Sequence, residues 1–452
     1  MDASLSESLA LDGPRPALRS ASAVRDHIDS LVRLAVFGDD QEQPLARFAI
    51  HAAAPQLGLV PSSIQDLYSA RGRGEISGFT VPAVNIRGMA YDTSRALYRA
   101  MKSREAAATV FEIARSEMGY THQEPAELAA VVLAAGIAEG YQGRVFIQGD
   151  HFQANAGKFA SDRASETAAL EELITKAIAA QFYCIDIDAS TLVDLSHDTV
   201  EEQQAENSKL TAHLCELVRS LEPKDITVSV GGEIGEVGKN NSTVKELIAY
   251  VDGFSEIVGS DSVGLSKVSV QTGTSHGGIP LPDGTIAKVA IDFETLRELS
   301  VVSRDRFGMA GAVQHGASTL PDEAFHEFPT VETAEIHLAT GFQNITMDHE
   351  AFPADLLQAM RDFTAAELSG ERKEGETDVQ FFYKTRKKTW GPFKRQVWDL
   401  PADIRAKLGA SLQAKFEFLI DQLKAGETGE IVDKYITHAA AEVVPPIAPA
   451  KG

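Results

Sequence analysis

The sequence predicts an α/β protein: a closed (β/α)8 TIM barrel with helical N- and C-terminal extensions. Three observations lead there. From Phe79 onward, short β-type runs alternate regularly with amphipathic helical patterns. Roughly eight such units fit into about 270 residues, which is the size and rhythm of that barrel. The first strand ends in Asn85-Ile86-Arg87-Gly88, which is not the Gly-rich phosphate turn expected of a doubly wound open sheet.

In chain order, residues 1–76 are Ala/Leu-rich with helical periodicity and are read as an N-terminal helical extension. The pattern breaks at Gly38-Asp39-Asp40 and at Val60-Pro61 and closes with Arg71-Gly72-Arg73-Gly74. Residues 77–350 are assigned to the barrel. Its strands are expected at Phe79–Ile86, Ala107–Ile113, Arg144–Gly149, Tyr183–Asp188, Ile226–Val230, Val268–Thr272, Met309–Gln314 and Glu335–Ala339. Helical patterns lie between them at Tyr91–Met101, Pro125–Ala138, Thr167–Ala180, Thr199–Ser220 and Asp292–Val302. Residues 351–452 form a charged, helical C-terminal extension. It carries a basic-aromatic stretch from Phe381 to Arg395, which reads either as an anion-binding or oligomer-contact arm reaching a neighbouring active site or as a solvated connector with its aromatics packed on the barrel. The connector is the commoner fate of such charge runs. The last ten residues, from Val443, read as a flexible tail.

Composition narrows the function. The chain of 452 residues is 44% apolar and 24% charged, with a net charge of −23. That balance suits a globular protein and argues against nucleic-acid or anionic-membrane partners, which an acidic surface repels. A small phosphorylated substrate is compatible, since a pocket can be locally positive. Cys184 and Cys215 read as two buried thiols, as expected in a reducing compartment. The N-terminus has no basic start followed by an apolar run, and no stretch is long and apolar enough to span a bilayer, so a cytoplasmic location is expected.

In a TIM barrel the chemistry sits at the C-terminal ends of the strands. The polar residues there are Asp150 and His151; Asp186, Asp188 and Ser190; Glu233; His276; His315 and Ser318; His337 and Thr340. Three of the histidines, His151, His276 and His315, each stand where a strand gives way to a loop, and two are followed by Gly. Three converging imidazoles would leave a coordination position free for substrate, as in a catalytic metal site. A lone histidine is more often a packed core or surface residue, so spacing alone leaves both readings open.

A set of motifs runs in order between Phe79 and Thr340. Phe79-Thr-Val-Pro-Ala-Val-Asn85, Gly149-Asp150-His151, Ile185-Asp-Ile-Asp188-Ala-Ser190, Gly232-Glu233-Ile-Gly-Glu-Val-Gly238, Gly273-Thr-Ser-His276-Gly277 and His315-Gly316-Ala-Ser318 follow one another in order. The set resembles the class II, metal-dependent fructose- and tagatose-bisphosphate aldolases, of which this chain looks like a divergent member. The resemblance implies a zinc-dependent lyase that reversibly cleaves a phosphorylated ketose, such as fructose 1,6-bisphosphate, to dihydroxyacetone phosphate and an aldehyde through a metal-stabilised enediolate. It implies one catalytic Zn2+, which a monovalent cation can accompany, on His151, His276 and His315. Asp150 matches the aspartate that moves the proton. Asp188 and Glu233 match acidic positions beside the metal, a second ion position among them. Asn85, Gly277, Gly316, Ser318 and Thr340 match substrate- and phosphate-binding positions. A homo-oligomer, a dimer or larger, is implied as well.

The departures are specific. Where the family carries a base glutamate, after Gly238, this chain has Lys239-Asn240-Asn241-Ser242. An amide does not take a proton at neutral pH; Glu236 is one substitute. On the last strand an asparagine of the family is replaced by His337, which can bond substrate, act as an acid–base group or fill the barrel mouth. Gln153–Ser161 reads as a lid with Lys158 toward an anion, or as an ordinary loop. Arg115 suits an anion or a salt bridge to Glu112. Two other functions fit the same residues: a non-catalytic accessory subunit like that of tagatose-bisphosphate aldolase, and a lyase or isomerase with a changed sugar-phosphate substrate.

Overall fold

The computed structural model describes residues 2–13, 15–235, 240–273, 281 and 291–446. Eight parallel strands close into a TIM barrel: β1 (Val81–Asn85), β2 (Val110–Ala114), β3 (Gly143–Gln153), β4 (Cys184–Asp188), β5 (Ser229–Gly235), β6 (Lys267–Val270), β7 (Ala312–Gln314) and β8 (Glu335–Leu338). Each pairs with its neighbour in sequence; β8 returns to β1, with Glu335 opposite Val81 and His337 opposite Ala83. Helices α1 (Ala90–Ser103), α2 (Pro125–Ala138), α3 (Arg163–Ala179), α4 (Val200–Leu221), α5 (Val244–Val258), α6 (Phe293–Phe307), α7 (Glu327–Thr330) and α8 (Thr340–Met347) follow the strands in turn. The predicted strands and helices all appear, with shifted ends.

The extensions explain anomalies in the helix patterns. Helix α2 is apolar around its whole circumference and almost wholly buried, unlike an ordinary surface helix of a barrel. The N-terminal helices Ile28–Phe37 and Glu42–Ala53 pack over it, so no face remains for water. The C-terminal helix Ala402–Gln422 covers α1 in the same way, with Trp398 stacked on Tyr91 at 6.0 Å. Val60-Pro61, read from sequence only as a break, belongs to a short strand, Leu59–Pro61. It pairs with Gly143–Val145 at the start of β3, where Pro61, the strand's last residue, is tolerated. Of the C-terminal tail, Val443 lies partly buried against the core, and residues 447–452 fall outside the described set.

Strand β3 has one irregularity that shapes the site. Its pairing with β4 slips between Gly149 and Phe152, and His151 sits at φ +40°. A slip of this kind turns side chains that simple alternation would not bring to the same face, and a histidine in the left-handed region is held there at a cost of about 1 kcal/mol. Gly149 makes the turn feasible: a Cβ there would lie 2.3 Å from the ring of Phe152, which is fully buried. Gly149→Ala is therefore expected to destabilise the fold by about 1–3 kcal/mol through overpacking. Chemical denaturation of the variant, compared with the parent protein, checks the value.

Candidate active site

Strand alternation stacks the polar interior of the barrel in two layers. Gln148, Asp186, Lys267 and Glu335 form the lower one, all buried. Lys267 Nζ donates to Gln148 Oε1 at 2.7 Å, to Asp186 Oδ2 at 2.9 Å and to Glu335. Tyr68 from the N-terminal extension also donates to Glu335. Burial is the largest influence on Lys267 and opposes its charge, but the two carboxylates outweigh it and keep the ammonium protonated.

Two residues further along the same strands stand Asp150, Asp188, Ser269 and His337, joined by His151, Glu233 and His315. His337 bridges the layers. Its Nε2 lies 2.7 Å from Glu335 Oε1, while Nδ1 lies 2.8 Å from Glu112 Oε2 and 3.1 Å from Asp150 Oδ1. Burial opposes charging this ring, and Glu112 with Asp150 overrides that, moving its pKa well above the ordinary imidazole range. The ring centroid of His315 is 4.1 Å from those of both His337 and His151, so the three rings form a row.

Around His151 the two nitrogens face different surroundings. Nδ1 is 2.9 Å from Asp188 Oδ2 and 3.0 Å from Glu233 Oε2. Nε2 is 4.0 Å from Asp150 Oδ1, which is also 4.0 Å from His315 Nδ1. His315 Nε2 is anchored on Ser269 Oγ at 2.9 Å. The donor atoms of Asp150, His151 and His315 thus lie within 4.8 Å of one another, close enough together to hold a metal ion. Glu112, Asp150, Asp188 and Glu233 crowd three imidazoles, and burial pushes Glu112 and Glu233 up, Glu233 to about 7. The cluster is short of positive charge, and its nitrogen and oxygen donors suit a divalent cation.

These groups lie at the inner end of an open cavity of about 920 Å³. The predicted residues Asn85, Asp150, His151, His315, Gly316, Ser318, His337 and Thr340 all line it. Glu233 and Asp188 stand behind His151. His276 and Gly277 lie outside the described residues, as do Glu236, Gly238 and Lys239. Asn240 is exposed, and Asn241 Nδ2 donates to Asp292 Oδ2 at 3.3 Å. Arg115 is not paired with Glu112, whose partner is His337; it binds Glu166 and the carbonyl of Gln153.

Sequence reasoning missed part of the cavity wall. Arg87 bonds Asn85 Oδ1 at 3.1 Å and Glu117 Oε1 at 2.9 Å, and Glu117 also accepts from the Ala114 N–H at 2.9 Å. Alternation from Asn85 pointed at Arg87, two residues on. The basic-aromatic stretch also turned out to face the cavity. Its helix Asp378–Thr385 and the turn Arg386–Thr389 bring Gln380, Tyr383, Lys384 and Lys387 into the wall, while Phe381, Phe382 and Trp390 are buried beneath.

No curated protein matches the sequence. Among solved structures, the chain is similar to a fructuronate-tagaturonate epimerase from Cohnella laeviribosi, with 14% identity, TM-score 0.53 and coverage of 86% of this chain and 85% of that one. It is also similar to a probable tagatose 6 phosphate kinase from Sinorhizobium meliloti 1021, with 16% identity, TM-score 0.52 and coverage of 82% and 95%. At such identities the likeness extends to the fold alone. The family model for class II fructose-bisphosphate aldolase matches residues 72–383, from just before β1, past β8 and into the arm that walls the cavity. With that match laid over the strand-end histidines and carboxylates, the chain belongs to the class II fructose-bisphosphate aldolase family.

Proposed function

We propose that the protein is a zinc-dependent aldolase that reversibly cleaves a phosphorylated ketose, such as fructose 1,6-bisphosphate, to dihydroxyacetone phosphate and an aldehyde. The observation that supports it most is the meeting of Asp150, His151 and His315 donor atoms at the inner end of the cavity. In this reading His151, His276 and His315 hold the ion, with Asp188 and Glu233 steadying His151 through Nδ1 and offering a second ion position. The ion supplies Lewis-acid stabilisation of the charge released when the carbon–carbon bond breaks.

The chain's own residues do the rest. Asp150 takes the proton of the hydroxyl that becomes the aldehyde and returns it in condensation. His337, 3.1 Å from Asp150 Oδ1, orients that carboxylate. Gly316, Ser318 and Thr340, with Gly277, receive a phosphate; Thr340 opens α8, whose N-terminal N–H groups favour an anion. Asn85, fixed by Glu117 and Arg87, bonds the substrate. Asn240 and Asn241 leave the family's base position without a proton acceptor, so proton exchange on the ketone-phosphate half is assigned to Glu233. That same substitution favours a second reading, an isomerase of the same substrate class.

The test is incubation of zinc-replete protein with a panel of ketose mono- and bisphosphates, reading triose phosphate release. Cleavage of at least one is expected, with Asp150→Asn lowering kcat by about 10²–10⁴-fold. Isomerised ketose without cleavage would move the assignment to the second reading, and no turnover of any member would reject both.

A further inference from the structure

A second cavity, of about 370 Å³, opens between α1 and the C-terminal helix Ala402–Gln422, and it shares no lining residue with the cavity at the strand ends. Its charged wall consists of Arg95 and Arg99 from α1, Arg405 from the C-terminal helix, and a single acid, Asp92. The C-terminal helix contributes small residues to the lining, Ala406 and Gly409 among them. Gly409 is buried, and a Cβ there would come within 3.1 Å of Arg99 Nη2, so the glycine lets that guanidinium lie against the helix.

Each guanidinium is oriented by the fold. Arg95 Nε donates to Glu139 Oε1 at 2.6 Å, and Arg99 donates to the same oxygen at 2.9 Å and to Gln413 Oε1 at 2.8 Å. Arg405 donates to the Leu400 carbonyl at 3.0 Å and to Asp92 Oδ1 at 3.2 Å. Both Nη atoms of Arg95, and Nη2 of Arg99 and of Arg405, have no hydrogen-bond partner among the described residues. Arg95 and Arg99 stand four residues apart on one helix, a spacing at which like charges repel. Their side chains and that of Arg405 are 31%, 33% and 30% exposed, so solvent screens the repulsion less than on an open surface. Glu139 and Asp92 face three cations, and Asp29, which also acts on Arg95, is engaged by the Tyr91 hydroxyl at 2.7 Å. In a chain of net charge −23, such a gathering of fixed, incompletely used arginines stands apart from the surface as a whole.

We propose that this cavity binds a small phosphate ester, whose phosphoryl oxygens accept from Arg95, Arg99 and Arg405 together and so clamp the C-terminal helix onto α1. A guanidinium offers parallel N–H groups that match a phosphoryl group, where an ammonium makes only a point contact. Donors already held in place lose little freedom when the ligand arrives. The volume lies within the range of small-molecule sites, and Ala406 leaves space for the organic part of the ester. The clamped helix also supports the frame of the barrel mouth, since the Phe416 ring meets Phe342 of α8 at 4.8 Å.

The experiment is equilibrium dialysis of the full-length protein against radiolabelled inorganic phosphate, counting phosphate bound per chain. Any phosphate held in the barrel cavity is common to parent and variants, so the difference between them reads this site alone. Arg405→Met is expected to weaken binding at the site by about 10–100-fold, the worth of one charge-assisted contact. Ala406→Leu keeps all three arginines and their bonds, places a good helix former at an exposed position and fills the cavity. It should bind one phosphate per chain fewer than the parent protein. Arg297→Met, an exposed arginine on α6, should bind as the parent does. Thermal unfolding midpoints confirm that each variant is folded, and added phosphate should raise the midpoint of the parent more than that of Ala406→Leu. Loss of one phosphate in both Arg405→Met and Ala406→Leu upholds the site. Binding equal to the parent's in either folded variant overturns it.

Discussion

Alanine at position 151 is expected to leave the protein without its divalent ion and to lower kcat/KM for ketose-phosphate cleavage by at least about 10³-fold. A Lewis acid contributes several kcal/mol to stabilising the developing charge, and about 1.4 kcal/mol is a factor of ten in rate. His151 is the residue on which the site converges. Its Nε2 and His315 Nδ1 are both 4.0 Å from Asp150 Oδ1, and its Nδ1 is held by Asp188 and Glu233 at 2.9 and 3.0 Å. Removing the imidazole takes away one donor and also leaves the buried Asp188 and the partly buried Glu233 carboxylates without the ring between them. Two measurements check this: metal content after dialysis, and the shift of the unfolding midpoint on adding a chelator. An ion bound only to the native state raises the midpoint by mass action, so chelation should lower it in the parent protein and leave His151→Ala unmoved. Retention of one ion per chain by His151→Ala would place the metal elsewhere.

What was legible in the sequence, and what was not, divides along a physical line. Strand-end residues were found because a barrel puts chemistry at strand ends, and alternation of two then names the neighbours: Asp186 with Asp188, and Asn85 with the missed Arg87. Lys267 was missed by one residue. The strand was expected to begin at Val268, which left the lysine outside it, and a lysine before an apolar run ordinarily faces water. Only the pairing of Lys267 with Gly231 on β5 and its contact with Asp186 and Glu335 place it inside. Pairing across strands is set by the closed barrel and is not written in any one segment. The slip at Gly149 was likewise hidden, since it depends on Phe152 folding back over that glycine. The arm is the third case. Its charge and aromatics were visible, but whether they met water, a second chain or the cavity depended on Trp390 meeting Gly88, about 300 residues earlier in the chain.

Lys267→Met is expected to destabilise the protein by about 3–5 kcal/mol, the cost of leaving buried charge uncompensated. Lys267 is 1% exposed, Glu335 0% and Asp186 7%, so water cannot replace the ammonium. Glu335 also accepts from Tyr68, from Gln148 Nε2 at 2.9 Å and from His337 Nε2 at 2.7 Å, a set of donors suited to an ionised carboxylate. With the lysine gone, burial favours the protonated form of both acids, and a protonated Glu335 no longer holds His337 by a charged bond. The damage should therefore reach the site above: His337 loosens, and Asp150, which shares Nδ1 of that ring with Glu112, loses its fixed neighbour. A cycle separates charge from packing. If the penalty is electrostatic, adding Glu335→Gln to Lys267→Met should recover part of the lost stability in urea denaturation. Equal instability of the single and double variants would instead assign Lys267 a packing role, and the charged layer beneath the site would lose its claim to organise it.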